Sequence, residues 1–253
     1  MRSINVANLG VRFGDLQVIE NMNFAVRPGE FVSLLGPSGC GKSTLLRVIA
    51  GLIPASSGAV QISGQGRQDG NSEHCFGLVF QKPQLLPWRT VLENVLLPVE
   101  LDLRGNIVRD SDVKHAKKIL ELVQLSGFED VFPHQLSGGM QQRAALARAL
   151  ISDPEVLLMD EPFSALDEIT RDALNQELVR IWQSTETRLK TVIMVTHSIP
   201  EAAAMSDRVL IFAPRPARLL DEVEFLFPHP RDLESVEFTR SVRQLRTLVR
   251  SIT

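Results

Sequence analysis

The stretch Phe31-Val32-Ser33-Leu34-Leu35-Gly36-Pro37-Ser38-Gly39-Cys40-Gly41-Lys42-Ser43-Thr44 decides the fold. Phe31 to Leu35 is an apolar burst of strand length, and a helical pattern follows near Ser43 to Leu52. Between them, Gly36 to Ser43 satisfies G-x-x-x-x-G-K-[ST] at the junction where that pattern has physical meaning. Glycines let the backbone curl so that several amides converge, and the following helix N-terminus adds partial positive charge. Lys42 is placed to reach terminal phosphates, and the Ser43 hydroxyl to ligate Mg²⁺. A chance match arises in about one chain per hundred of this length at average composition, and the strand and helix context lowers that further. The loop therefore predicts nucleotide binding.

Working outward, the same alternation of strand-length bursts with helical patterns recurs, as in an α/β domain with a largely parallel sheet. Val156 to Met159, Thr191 to Thr196 and Arg208 to Phe212 read as further strands. Shorter alternating runs near Ile4 to Phe13 and Asn23 to Val26 suit an antiparallel flank. From Thr90 to Leu150 the pattern becomes helical only. Thr90 and Glu93 have capping-box spacing, and Val91, Leu92, Val95, Leu96 and Val99 follow at helical intervals. A second helix is predicted from about Ser111 to Leu125, with Val113, Ala116, Ile119, Leu120 and Val123 on one face and Gly127 as its terminator. The expected division is 1–89 with 151–225 as the core, 90–150 as an inserted helical lobe and 226–253 as a helical tail. The tail pattern starts near Arg231 and puts Val242, Leu245, Val249 and Ile252 on one side. Its arginines (Arg240, Arg243, Arg246, Arg250) fit a solvated face better than an anionic-lipid contact, because acidic residues begin the segment.

Composition bounds the function. The chain has 253 residues, 44% apolar and 23% charged, and 27 basic residues face 30 acidic ones for a net charge of -3. That balance gives no electrostatic reason to expect nucleic acid as a partner. Two cysteines, Cys40 and Cys75, are too few for a disulfide framework and fit a reducing compartment. Cys40, inside the loop, sits where a helix N-terminus lowers a thiol's pKa; a small filler side chain is the plainer reading. The opening Met1 to Asn5 lacks the apolar core of a secretory signal. No stretch approaches the roughly 18 to 20 apolar residues of a membrane span, so any membrane crossing is expected from other subunits.

Two further clusters carry chemistry. Val156 to Met159 ends in Asp160-Glu161, which places carboxylates at a strand's carboxyl end. Asp160 is a candidate Mg²⁺ holder, directly or through water, and Glu161, expected on the opposite side of the pleat, is a candidate general base. Leu136-Ser137-Gly138-Gly139-Met140-Gln141 precedes a helix expected from about Met140 to Ser152. A hydroxyl and exposed amides at a helix N-terminus make a second anion site. Two such sites in one chain point to two copies that share nucleotide.

Together these features resemble the nucleotide-binding subunit of ATP-binding cassette transporters over about residues 2 to 225. The resemblance also takes in Gln81 after a strand, Ser164-Ala165-Leu166-Asp167 after the acidic pair, and His197 after a later strand. It implies an α/β phosphate-loop NTPase (RecA-like) core with an antiparallel β flank and an inserted α-helical subdomain, using ATP and Mg²⁺. By that resemblance two cassettes close head to tail. Ser137 and Gly139 would meet the γ-phosphate bound by the partner's loop, and His197 would contact it and help position water. Gln81 would sense Mg²⁺ and that water, Asp167 would line the seam, and the loop from Gly36 through Thr44 would hold the phosphates. Two residues depart from the commonest pattern. Phe13 stands where an adenine-stacking Tyr is frequent, in a chain without tyrosine. Met140 stands where Gln is commonest.

Phe80 to Val91, with Gln84-Leu85-Leu86-Pro87-Trp88-Arg89 at its centre, is similar to importer cassettes of the nitrate, sulfonate, taurine and bicarbonate group. So are Arg215-Pro216 and Pro230-Arg231-Asp232. Leu85, Leu86 and Trp88 beside prolines would form a stiff apolar patch able to receive a short helix of a membrane subunit, with core burial as the alternative. The implied partners are permease subunits, a second copy and, indirectly, a solute-binding protein, and the implied place is the cytoplasmic face of the inner membrane. Soluble cassette ATPases of DNA repair or ribosome function are the competing class. They carry long coiled-coil insertions or tandem cassettes, which this sequence does not.

Overall fold

The computed structural model describes residues 2–63, 76–101 and 107–250; Cys75 and Ile252 lie outside them. Two compact units are present, one of Met1–Asn71, Leu158–Glu161 and Lys190–Thr253, the other of Ser72–Leu157 and Pro162–Leu189.

The first unit is built on strands that read as continuous apolar runs, the mark of burial on both sheet faces. Every residue of β3 (Phe31–Leu35), β7 (Thr191–Thr196) and β8 (Arg208–Phe212) is buried. β3 pairs in parallel with both β7 and β8, while β9 (Leu219–Glu224) pairs antiparallel with β8. The order continues on the other side of β7 to β6 (Val156–Asp160). The flank is a separate antiparallel sheet of β2 (Leu16–Val26), β1 (Ser3–Phe13) and β4 (Ser57–Ser63). In it Ile4, Val6, Leu9 and Val11 are buried. The pairing shifts register between Val6 and Leu9, where Asn8 adopts a left-handed φ of 50°.

Helix α1 (Lys42–Ile49) follows the loop, and α6 (Ile199–Met205) follows β7. The tail helix α7 (Val236–Arg250) begins several residues later than its sequence pattern predicts, because Asp232 and Ser235 form a hydrogen-bonded turn first. Phe238 and Leu245 join Ala202, Ala203 and Val209 in one apolar cluster, and Arg240, Arg243, Arg246 and Arg250 are exposed.

In the second unit α2 (Val91–Leu101), α3 (Asp110–Leu122) and α4 (Gly138–Leu150) pack together, with α5 (Glu168–Gln183) against α4. The capping box at the start of α2 is complete: Glu93 Oε2 accepts from the Thr90 amide at 2.7 Å, and Thr90 Oγ1 accepts from the Glu93 amide at 3.3 Å. α3 ends earlier than predicted. Gln124, with φ 56°, turns the chain there, ahead of Gly127. β5 (Phe76–Val79) also belongs to this unit, and Gly77 lies against Leu157 at the start of β6.

A buried ion pair braces the first unit. Arg208 Nε donates to Glu30 Oε1 at 2.7 Å, Nη2 to Glu30 Oε2 at 3.0 Å, and Nη1 to Glu222 Oε2 at 2.7 Å. Burial lowers the basicity of Arg208, but the two glutamates outweigh it and the guanidinium ends above its ordinary value. Replacing Glu30 by Ala is expected to cost about 3 kcal/mol in urea unfolding, because Arg208 loses its bidentate partner in a desolvated place. Replacing the exposed Arg27, which pairs with Glu224, is expected to cost under about 0.5 kcal/mol.

Candidate nucleotide site

The phosphate loop owes its shape to backbone conformations that L side chains rarely adopt. Gly39 has φ 72° and Gly41 φ 125°. A Cβ on Gly41 would also stand 3.1 Å from Val18 Cγ1. Gly41 is the N-cap of α1 and offers no side-chain cap, and the first turn carries no acidic residue. The helix therefore opens with amide donors that its own side chains leave unmet. Lys42 is 4% exposed, and its Nζ donates across the loop to the carbonyls of Gly36 and Pro37, both at 2.8 Å. Cys40 is buried with its Sγ 3.8 Å from that amine, so it fills the loop from within.

The carboxyl ends of neighbouring strands converge on this loop. Ser43 Oγ, at the start of α1, donates to Asp160 Oδ1 at 2.6 Å, joining the loop to the end of β6. Arg47 Nη2 stands 4.0 Å from the other Asp160 oxygen. Glu161 is not on the opposite side of a pleat, as the sequence reading expects. It lies just past the strand with a left-handed φ of 47°, held by its amide donating to the Val195 carbonyl of β7 at 3.0 Å. Non-glycine residues in that conformation cost of order 1–3 kcal/mol and cluster at functional sites. Glu161 Oε2 lies 3.2 Å from His197 Nδ1. His197 is held in turn by its neighbours: Thr196 Oγ1 accepts from the Ser198 amide at 3.0 Å and hydrogen-bonds the buried Glu201 carboxylate. Sequence reasoning missed Glu201, although Ser198 and Glu201 have capping-box spacing.

A cavity of about 280 Å³ opens over the loop. Phe13, Leu16 and Val18 supply an apolar side, Ser38, Gly39 and Gly41 to Thr44 the loop side, and Glu161 and Arg215 complete it. Phe13 is half exposed at the end of β1, so its ring face is open to a planar ligand.

The remaining predicted residues lie in the second unit. Ser137 is the N-cap of α4, its Oγ accepting from the Met140 amide at 3.3 Å, and it is exposed. Gly139 is buried, and a Cβ there would approach Thr170 Cγ2 to 2.7 Å. Asp167 caps α5 by accepting from the Thr170 amide at 3.0 Å, and that bond holds its carboxyl below the usual range. Gln81 Nε2 donates to Ser164 Oγ at 3.0 Å. α4 also grips the segment that carries Gln81. Gln142 Nε2 donates to the Phe80 carbonyl at 3.2 Å, and Arg148 donates to the carbonyls of Pro83 and Gln84 at 2.7 and 2.8 Å. Arg143 of the same helix meets Glu177 at 2.9 Å; burial pushes the Glu177 carboxyl up to about 7, against the opposing pull of Arg143 and Arg180.

A parallel-stranded core with a glycine-rich loop, a serine–aspartate pair and a glutamate–histidine pair at its strand ends defines a phosphate-loop nucleoside triphosphatase. The chain belongs to the ABC transporter family, which it matches over residues 19–164, and it is an ATP-binding, ATP-hydrolysing cassette of that family. It is 44% identical to the aliphatic sulfonates import ATP-binding protein SsuB of a Bacillus cereus strain, covering 89% of this chain and 85% of the relative. It is 39% identical to the taurine import ATP-binding protein TauB of Rhizobium johnstonii, over 95% and 91% of the two chains. Among solved structures, it is similar to the dimeric post-hydrolysis state of the ATP-binding cassette MJ0796 bound to ADP and Pi. The TM-score there is 0.73 at 33% identity, covering 90% of this chain and 99% of that one.

Proposed function

We propose that this chain powers an importer of a small anionic solute of the nitrate, sulfonate, taurine or bicarbonate kind. It would work from the cytoplasmic face of the inner membrane, with permease subunits forming the pore and a solute-binding protein delivering the cargo. The relatives' names support the solute class. Among the described residues no helix is long and apolar enough to cross a membrane, which agrees with the pore being made by other chains.

The observation that carries the catalytic reading is the pairing of Ser43 with Asp160 at 2.6 Å beside that of Glu161 with His197 at 3.2 Å. The first pair offers hard oxygen donors of the kind Mg²⁺ prefers. Ser43 and Asp160 would hold the ion, and when bound it neutralises charge on the β- and γ-phosphate oxygens. Lys42 and the loop amides between Ser38 and Thr44 hold the phosphates, and Phe13 stacks on adenine. Glu161 accepts a proton from water as the water oxygen bonds to the γ-phosphorus. The bond from that phosphorus to the bridging oxygen breaks, and its electron pair leaves with ADP. His197, braced against Glu161, orients the water and the γ-phosphate. Such a base contributes typically 10²–10⁴-fold, roughly 3–5 kcal/mol of barrier. Ser137 and Gly139 of a second copy close the site head to tail, with Asp167 at the seam.

Docking of the permease is assigned to the segment around Trp88. Trp88 is 70% exposed, which favours a contact surface over core burial, while Leu85 and Leu86 are no more than partly covered. The buried Asn94 stiffens the turn, accepting from the Leu86 amide at 2.7 Å and donating to the carbonyls of Leu86, Arg89 and Thr90. Trp88→Ala is expected to reduce co-purification with co-expressed membrane subunits while the isolated chain keeps its ATPase rate; undiminished co-purification refutes the docking assignment. Glu161→Gln is expected to lower turnover at least about 100-fold and to give ATP-dependent dimers in light scattering. Unchanged turnover removes Glu161 as the base.

A further inference from the structure

The turn between β8 and β9 forms a wall of the nucleotide cavity. The Ala213 amide donates to the Arg218 carbonyl at 2.9 Å and closes the turn. The turn is then fastened to β2: the Ala217 amide donates to the Val18 carbonyl at 2.8 Å, and the Glu20 amide to the Ala217 carbonyl at 3.1 Å. Ala217 is buried, and its Cβ would lie 3.4 Å from a Cβ on Gly41. A segment far along the chain is thus packed directly beneath the phosphate loop, and it carries Arg215 onto the loop's crest.

Arg215 Nη2 donates to the Gly39 carbonyl at 2.7 Å, and the side chain lines the cavity with Phe13 and Lys42. The cavity's two cations differ in what they offer. Lys42 already spends donors on two loop carbonyls and is 4% exposed, whereas Arg215 is exposed. A guanidinium has five N–H donors, and the Gly39 carbonyl is the sole protein acceptor for Arg215 among the described residues. Without the arginine, the Gly39 carbonyl dipole would stand beside the polyphosphate site with no donor covering it. With it, that dipole is covered and the remaining donors form a planar fork of the kind that matches phosphate. An exposed arginine is ordinarily just solvated. This one is held between a turn anchored on β2 and a loop carbonyl, on the wall of the cavity.

We propose that Arg215 is a nucleotide-binding residue, contacting the phosphates of bound ATP and ADP while it caps the Gly39 carbonyl. This rests on the ATP-site reading above. Because the contact is made to substrate and product alike, it contributes uniform binding and leaves the chemical step unaltered.

The test is equilibrium titration of ATP and of ADP into the full chain, comparing the unsubstituted protein with Arg215→Ala and Arg215→Lys, with Lys42→Ala as the reference for a lost site. Arg215→Ala is expected to weaken both nucleotides by about tenfold, the scale of one charge-assisted contact. Arg215→Lys should recover part of that loss, and kcat at saturating ATP should stay within about twofold. Affinities within about twofold of the unsubstituted chain overturn the proposal, as does a fall in kcat at unchanged affinity, which would mean that Arg215 only positions the loop. If the unsubstituted chain fails to bind ATP, the ATP-site reading itself falls, and this inference with it.

Discussion

The hydrogen bond between Ser43 and Asp160 is the constraint on which the rest of the site depends. It joins the first turn of α1 to the end of β6, and the Glu161 amide, one residue further on, is bonded to β7. Loop, carboxylates and histidine are therefore placed by the ends of adjacent strands, where open α/β sheets bind ligands. The strands are buried along their length, so the loops they carry inherit a rigid base. Glu161 in a left-handed conformation fits that base: two bonded strands hold a geometry the residue would not choose alone.

Much of this was legible in the sequence because the signals are local. Phe31 to Leu35, Thr191 to Thr196 and Arg208 to Phe212 are strands as read, and β6 extends its reading only to include Asp160. The Thr90–Glu93 capping box and the Ser137 cap could be seen because donor and acceptor lie within one helical turn. The α/β core and its antiparallel flank followed from the same runs and alternations.

What escaped the sequence is mostly the partner that each side chain finds, near or far along the chain. Nothing near Arg215 announces that its turn packs under a loop so far away along the chain, and in sequence the Arg-Pro pair marked only a group of relatives. Glu201 reaches Thr196 and so bears on His197, a use of its carboxylate that the local cap spacing does not reveal. Gln124, and not Gly127, turns the chain after α3: its amide bonds to the Glu121 carbonyl and the Leu125 amide to that of Leu120, a terminus a non-glycine residue accepts here. Asn94 and Arg148 belong to no motif in the sequence, yet between them they bond to carbonyls along Pro83 to Thr90. Helix α4 and the exposed Trp88 turn are thus tied by a short chain of hydrogen bonds within one unit.

In the proposed function the phosphate loop by itself makes half of a site, and Ser137 from a second copy completes it. Mixing two inactive variants measures that requirement most directly. Lys42→Ala and Ser137→Arg are each expected to abolish hydrolysis, since every site in either homodimer carries one defect. In a head-to-tail heterodimer of the two, one site carries both defects and the other carries none. An equimolar mixture should therefore recover roughly a quarter of the unsubstituted rate with statistical pairing. A mixture as inactive as its components would contradict the shared site.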